Sequence, residues 1–558
     1  MLLIAGNTQA NDCVPRELDF GIVCVCNATY CDDTPDNNPR IPENGSVYWY
    51  VSSKGGLRLN LSQAHFNSCE ASNDTPVLTV DPSRRYQTIF GFGGAFTDST
   101  GINIGNLSRA AQDQIIRELI AVVPSVEVRT YFGRNGSRYS LGRIPIGGTD
   151  FSTRPYTYDD SADDVSLRYF SLAPEDYNYK IPYIRRAIEL NPDLRFFSSA
   201  WSAPAWMKTN QRINGLLGFL ERRYYGTYVD YLIRFLQEYR NNGINVWGIS
   251  TGNEPFNAFV PFDRLNVMAW TPRTVSEWVA DYAGPMLENS EFNGTKLLLL
   301  DDQRFELPWV AAIVFQNPKA KRYISGTAVH WYFDQFFPSS ILDTTHNLSP
   351  DKFILMTEAC TGELFREINM CASVGSGMLD YPKVALGSWE RGQEYILSII
   401  EVRIILTAHE MYKLLLFFPP TQTYLCTVFH LKYMNHWGIG WIDWNLVLNK
   451  QGGPNWIANY VDAPIIVNPE TDEFFKQPMY YALKHFSRFV ERGSVRININ
   501  NNLSSVKSTA FVTPSNEVVV VLYNRSNREE DVVLEDPNNG PVCLTLLPYS
   551  INTIIYAQ

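Results

Sequence analysis

Asn245-Val-Trp-Gly-Ile-Ser250-Thr-Gly-Asn253-Glu254-Pro255 is a short, almost unbroken apolar run that ends in a polar loop. Hydrophobicity without alternation marks a strand covered on both faces, as in a parallel sheet rather than a half-exposed antiparallel one. Just before it, residues 225–238 place apolar side chains at i, i+3, i+4 and i+7, the stripe of a helix lying on such a sheet. Seven more runs follow the same pattern, at 88–92, 140–146, 194–200, 296–300, 324–331, 353–357 and 438–442. Each leads into a loop carrying Asp, Asn, Glu or Trp and then into a helical stretch. Eight such units in series predict an α/β fold of the closed (β/α)8 TIM-barrel type.

The flanks read differently. Beyond about residue 463, runs at 464–467, 495–499, 506–512, 517–523, 531–534, 543–547 and 551–556 are separated by Asn, Asp, Gly and Pro, the punctuation of an antiparallel β module. Candidate strands at 47–51 and 57–61 would complete it, giving a discontinuous all-β sandwich formed by the N- and C-terminal segments. The expected division is a residual signal peptide over 1–12, a disulfide-rich β segment over 13–80, the catalytic barrel over 81–462 and the C-terminal sandwich segment over 463–558.

The 558 residues carry a formal charge of −11, and an excess of carboxylates argues against nucleic-acid binding. The surplus of aromatic rings is mostly core packing, with sugar stacking as its sharper use. Cys13, Cys24, Cys26 and Cys31 crowd one segment. With no His nearby and a C-x-C spacing, two disulfides fit better than a metal knot. Ten N-x-[ST] sequons, one at Asn27 inside that cluster, agree with an oxidising secretory route and mark Asn27 for glycosylation. The opening six residues are too short for a hydrophobic signal core and read as the remainder of one. Apolar residues 402–429 are broken by His409, Glu410, Lys413, Pro419 and Pro420 short of the ~20 a membrane span needs, so no transmembrane span is expected.

Catalytic groups of a TIM barrel gather at the C-terminal ends of its strands. Glu254 ends the fourth apolar run and Glu358 the seventh, 104 positions apart, a little over three units at about 31 residues per unit. Two carboxyls facing each other across the mouth fit glycoside hydrolysis, one protonating the leaving oxygen and the other attacking or guiding water. A separation of about 5–5.5 Å would run a retaining double displacement and about 6.5–9.5 Å an inverting one.

Asn253-Glu254-Pro255 resembles the acid/base motif of retaining clan-A glycosidases, and the chain resembles the glucosylceramidases of glycoside hydrolase family 30. Matching segments span nearly its whole length: Cys24-Val-Cys-Asn-Ala-Thr-Tyr-Cys31, Gly91-Phe-Gly-Gly-Ala95, Asp150-Phe-Ser152, Lys208-Thr-Asn210, Leu300-Asp-Asp-Gln-Arg304, Ala328-Val-His-Trp-Tyr332, Glu358-Ala-Cys360, Leu386-Gly-Ser-Trp389, Asp443-Trp-Asn445, Gly452-Gly-Pro-Asn-Trp456 and Lys476-Gln-Pro-Met479. The resemblance implies Glu254 as acid/base, Glu358 as nucleophile, and hydrolysis of glucosylceramide to glucose and ceramide with retention, through a covalent glucosyl-enzyme. By the same resemblance Asp150, Phe151, Trp201, Asn253, Tyr332, Trp444 and Asn459 would line the sugar site, with Arg143 behind them keeping a carboxylate ionised. Asp150 can accept from two sugar hydroxyls, and Trp201 and Trp444 offer flat apolar faces to ring C–H groups. The resemblance also implies the pairs Cys13–Cys24 and Cys26–Cys31, a lysosomal location at the lumenal membrane, and a saposin-type activator and an anionic lipid surface as partners. Neither a metal nor a cofactor is called for.

Residues 402–432 depart from the family pattern, because the helical stretch 389–400 should run almost at once into 437–441. One reading is translated intron; residues 368–384 are also longer than expected. The insert leaves open a glycan- or glycolipid-binding homologue with impaired catalysis. Gly248-Ile-Ser250-Thr-Gly252 matches the G-x-S-x-G elbow of a serine esterase, but Pro255 argues against the helix an elbow needs. Gly91-Phe-Gly93-Gly94-Ala-Phe96 lacks the third glycine of a dinucleotide fingerprint, and no helix is expected to open there.

Overall fold

The fold is taken from a computed structural model, which describes residues 10–35, 41–43, 45–68, 74–120, 136–261, 264–362, 382–400 and 433–558. The 402–432 stretch, residues 1–9 of the signal-peptide segment and residues 368–381 of the longer loop lie outside the described residues.

Eight parallel strands close a barrel: β1 (Gly91–Ala95), β2 (Leu141–Ile146), β3 (Arg195–Ala200), β4 (Val246–Ser250), β5 (Lys296–Gln303), β6 (Ile324–His330), β7 (Phe353–Glu358) and β8 (Gly438–Asn445). Each pairs with its neighbour in sequence, and β8 returns to β1 through Trp441 opposite Phe92. The (β/α)8 expectation is thus met, with every run falling within two or three residues of a strand. One end of the lumen is plugged by Leu141, Phe197, Leu298, Ala328, Leu355 and Ile442, backed by Phe90, Trp247 and Phe353. A barrel filled this way is a packed core and leaves only its opposite mouth for chemistry.

Local sequence explains the wall. Gly93 sits where β1 meets β2 so closely that a Cβ would fall 1.8 Å from the Leu141 carbonyl oxygen, so this glycine serves close strand packing. A helix does open nearby, Asp98–Gly105, capped by Thr97 accepting from the Thr100 N–H, contrary to the sequence expectation. The cap residue, two positions beyond β1, was the missed signal. Outside, helix Tyr225–Asn241 turns Tyr228, Leu232, Phe235 and Tyr239 inward, and helix Trp389–Ile399 is capped by Ser388.

The β module is a nine-stranded sheet in which Ser46–Ser53 pairs with Ser550–Ala557, and Val77–Thr88 lies between Val495–Asn500 and Glu530–Asp536. Leu78, Val520, Leu534, Leu544 and Ile554 share its core. The 464–467 run does not join it. Ile465–Asn468 instead lies in a separate five-stranded sheet, between Val447–Asn449 and Glu473–Lys476, which pairs in turn with Gly21–Asn27. Cys13–Cys24 and Cys26–Cys31 are disulfide-bonded there. Asn27 is half-buried at the end of its strand, its side-chain oxygen accepting from the N–H groups of Thr29 and Tyr30. Helix Pro478–Ser487, between the two sheets in sequence, is buried at all ten positions. Among the described residues no helix is long and apolar enough to cross a membrane.

Candidate active site

Strand β4 ends at Ser250, and four residues on the backbone turns through a left-handed conformation at Glu254 (φ 42°) before a short 3-10 turn, Pro255–Phe259. The Glu254 N–H donates to the Asp301 carbonyl at the end of β5 (3.0 Å), which ties the loop to the neighbouring strand. Its carboxylate is held on both sides: Oε1 accepts from Gln303 Nε2 (2.9 Å) and faces His330 Nδ1 (2.8 Å), and Oε2 accepts from Asn257 Nδ2 (2.7 Å).

Glu358 is the last residue of β7. Its Oε1 accepts from the Tyr332 hydroxyl (2.8 Å) and its Oε2 from Arg143 Nη1. Carboxylate oxygens of Glu254 and Glu358, with a ring nitrogen of His330, lie within 4.8 Å of one another. Two glutamates read from distant strand ends therefore meet in one buried site.

Arg143, on β2 and fully buried, joins the floor together. Nη2 donates to Asn253 Oδ1 (2.6 Å) and Asp301 Oδ2 (3.0 Å), and Nη1 to the Thr357 carbonyl (3.1 Å) as well as to Glu358. Asp301 in turn accepts from Thr357 Oγ1 (2.6 Å) and meets His330 Nε2 (3.1 Å). Both ring nitrogens of His330 thus face carboxylates, which requires both to carry protons when the acids are ionised. Burial alone would lower this imidazole, yet the charge of Glu358 and the hydrogen bonds to Asp301 and Glu254 hold it at about 10. Burial alone would raise Asp301, but Arg143 and His330 keep it well below the usual carboxylate range. Burial pushes Glu358 up, opposed by the positive charges of His330 and Arg143.

Asp150 lies on the loop after β2, pushed up to about 7 by burial and then by the charge of Glu358. It accepts from Asn459 Nδ2 (3.2 Å) and from Asn455 Nδ2 (3.0 Å). Trp201 and Trp444 lie nearly parallel, ring centroids 5.1 Å apart, with the Arg143 guanidinium over both and Phe151 edge-on to Trp444. Part of each face expected for a sugar is therefore taken by the other indole and by Arg143. All the expected sugar-site residues except Asn459 are buried, and the structure gathers them around the two glutamates. Asp301, Gln303, His330 and Asn455 were not singled out from sequence. Three of them end β5 and β6, so strand-end position was the available signal.

Glu254, His330 and Glu358 stand close enough to hold a cation, but Arg143 and His330 already supply the positive charge there. The sulfurs of Cys26 and Cys31, beside Asp32, are spent on their disulfide. Ser250 does not form a nucleophile elbow. Its hydroxyl pairs with that of Ser199 (2.6 Å) inside the barrel wall, and no α-helix follows it directly.

Residues 89–413 and 423–490 match the glycosyl hydrolase family 30 TIM-barrel domain, and residues 493–554 match the family 30 beta sandwich domain. The chain belongs to glycosyl hydrolase family 30. The match is interrupted over 414–422 alone, so 402–413 and 423–432, expected to depart from the family, match it. The family 30 enzyme is similar to the lysosomal acid glucosylceramidase of Mus musculus, 35% identical over 98% of this chain and 96% of that one. It is also similar to an endo-1,6-beta-D-glucanase of Neurospora crassa, 30% identical over 52% of this chain and 58% of that one. Among solved structures, SrfJ from Salmonella typhimurium superposes with a TM-score of 0.74 at 26% identity, over 92% of this chain and all of that one. A strand-end carboxyl pair in this fold and family makes the protein a glycoside hydrolase.

Proposed function

We propose that this family 30 hydrolase is a retaining β-glucosidase that cleaves glucosylceramide to glucose and ceramide. The observation that supports retention is that a carboxylate oxygen of Glu254 and one of Glu358 lie within 4.8 Å, nearer the roughly 5–5.5 Å spacing of a double-displacement pair than the roughly 6.5–9.5 Å of an inverting one. Glu358 attacks the anomeric carbon as Glu254 gives its proton to the glycosidic oxygen, and ceramide leaves as the alcohol. Water, deprotonated by Glu254, then attacks the glucosyl ester and frees Glu358. Arg143 and Tyr332 hold the Glu358 oxygens in line, and Arg143 orients Asn253, whose amide N–H2 is left to donate to the sugar 2-hydroxyl.

The substrate reading is supported by 35% identity to the mouse glucosylceramidase along nearly the whole chain. Exposed Leu216, Leu217, Phe259 and Val260, close to Glu254 in the chain or packed on its loop, give the mouth an apolar rim suited to a lipid. A lysosomal site of action, a saposin-type activator, an anionic lipid surface and a glycan on Asn27 complete the proposal.

Labelling with a 2-deoxy-2-fluoro glucoside followed by peptide mapping tests it. A tag on Glu358 is expected; no adduct, or one elsewhere, overturns the mechanism. Turnover of β-1,6-glucan in place of glucosylceramide would leave the mechanism standing and overturn the substrate.

A further inference from the structure

The two carboxyl oxygens of Glu254 are not equivalent. Oε1 faces two donors, Gln303 Nε2 (2.9 Å) and His330 Nδ1 (2.8 Å). The Gln303 amide is fixed in this orientation, because its own oxygen accepts from the Tyr332 N–H (3.1 Å). The His330 nitrogen keeps its proton because both ring nitrogens face carboxylates. Two lone pairs meet two donors, so Oε1 has no room for a proton. Placing one there would leave a buried donor unpaired, which is costly. The proton that Glu254 gives to the leaving group therefore sits on Oε2. Among the described residues the partner of Oε2 is Asn257, whose Nδ2 donates to it (2.7 Å). Local chain geometry builds this contact: in the 3-10 turn Pro255–Phe259 the Asn257 N–H donates to the Glu254 carbonyl (3.0 Å), which sets residue i+3 over residue i.

We propose that Asn257 is a further catalytic residue, whose Nδ2–H bond to Glu254 Oε2 draws the proton off that oxygen as the aglycone departs. The inference rests on Glu254 being the acid/base of the proposed mechanism. In the first step the Oε2–H bond breaks and its electron pair stays on Oε2. The proton goes to the glycosidic oxygen, whose bond to the anomeric carbon breaks as the bond from Glu358 forms. Oε2 thus passes from neutral to charged, and a hydrogen bond to an ionised oxygen is roughly twice as strong as one to a neutral oxygen. The Asn257 bond therefore tightens toward the transition state, which is the condition for it to accelerate the step. In the second step the sign reverses. Oε2 takes a proton from the attacking water, the Asn257 bond weakens, and the same amide opposes release of glucose. A residue that merely held Glu254 in place would favour both steps.

The test compares Asn257→Leu with Glu254→Gln in the full chain. Octyl β-glucoside has a leaving group that needs a proton, and 2,4-dinitrophenyl β-glucoside has one that does not; kcat/KM reports the first step on each. Asn257→Leu is expected to lose about tenfold more on the octyl glucoside, the difference in worth between a hydrogen bond to a charged acceptor and one to a neutral acceptor. The second step is read as the return of activity after tagging with 2,4-dinitrophenyl 2-deoxy-2-fluoroglucoside and removing the excess. In Asn257→Leu this return is expected to be no slower than in the parent. Equal losses on the two glucosides, with Glu254→Gln still separating them, would overturn the role of Asn257 and leave the mechanism standing. A slower return would mean that the leucine had displaced Glu254, and would overturn the proposal as well. Equal losses in Glu254→Gln itself would overturn the reading on which the proposal rests.

Discussion

His330 Nδ1 and Glu254 Oε1 lie 2.8 Å apart inside a site where the imidazole is wholly buried. Because the other ring nitrogen faces Asp301, this histidine is a fixed positive charge set between acids rather than a group that titrates during turnover.

Its removal should therefore show in the pH profile. His330 opposes the burial that raises Glu358, so in His330→Gln Glu358 ionises at higher pH. The acid limb of kcat/KM is expected to move upward. Full pH profiles of variant and parent check this; coincident acid limbs would contradict it.

Glu254→Gln keeps the hydrogen-bonding shape but has no acidic proton to give. Turnover of glucosylceramide should fall by about 10²–10⁴, the usual worth of a general acid. An aryl glucoside with a good leaving group should lose less in the first step. Equal losses on both substrates would mean that Glu254 does not act on the leaving oxygen.

Arg143 is a buried cation with Asp301 and Glu358 beside it. Arg143→Met should cost about 3–5 kcal/mol in denaturant unfolding, because it leaves buried acids uncompensated. Arg143→Lys retains charge but cannot reach Glu358, Asn253 and Asp301 together. It should fold and lose kcat.

Stability should rise as the solution is acidified from pH 8 to pH 5. Asp150 and Asp302 at about 7, and Glu306 at about 10, all hold protons more tightly folded than at their ordinary values of 3.8, 3.8 and 4.5, chiefly through burial. Ionising them costs folding energy in full above those raised values, and the cost is relieved as pH falls toward the ordinary ones. His330 contributes stability that is complete below its ordinary 6.5 and lost as pH rises through about 10. His485 opposes, lowered to about 3 by burial, with a cost that grows below 6.5. Lys208 and Lys484, lowered to about 7, exert most of theirs by neutrality. Scanning calorimetry should find the higher midpoint at pH 5; a higher one at pH 8 would refute this balance.

The barrel was legible because its strands are buried on both faces and read as unbroken apolar runs. β2 has every residue buried, and β7 is buried from Ile354 onward. The five-stranded sheet was not, because Cys24 finds its partner at Lys476, far beyond any local pattern. Glu254 and Glu358 were readable from their places at strand ends. The roles of Asp301 and His330 arise only when β5 and β6 lie side by side and bring both to the same two glutamates.

Trp49, near the start of the chain, lies opposite Ile554, almost at its end. Translation at about 5–20 residues per second places roughly 25–100 s between the two. Throughout that time Ser46–Ser53 has one edge with no mate, a template for another chain to pair with. Completion of Ser550–Ala557, rather than closure of the barrel, is what finally seals that edge. A nascent chain stopped short of residue 550 should therefore need a chaperone to stay soluble, even with Glu254, Glu358 and every residue around them already made.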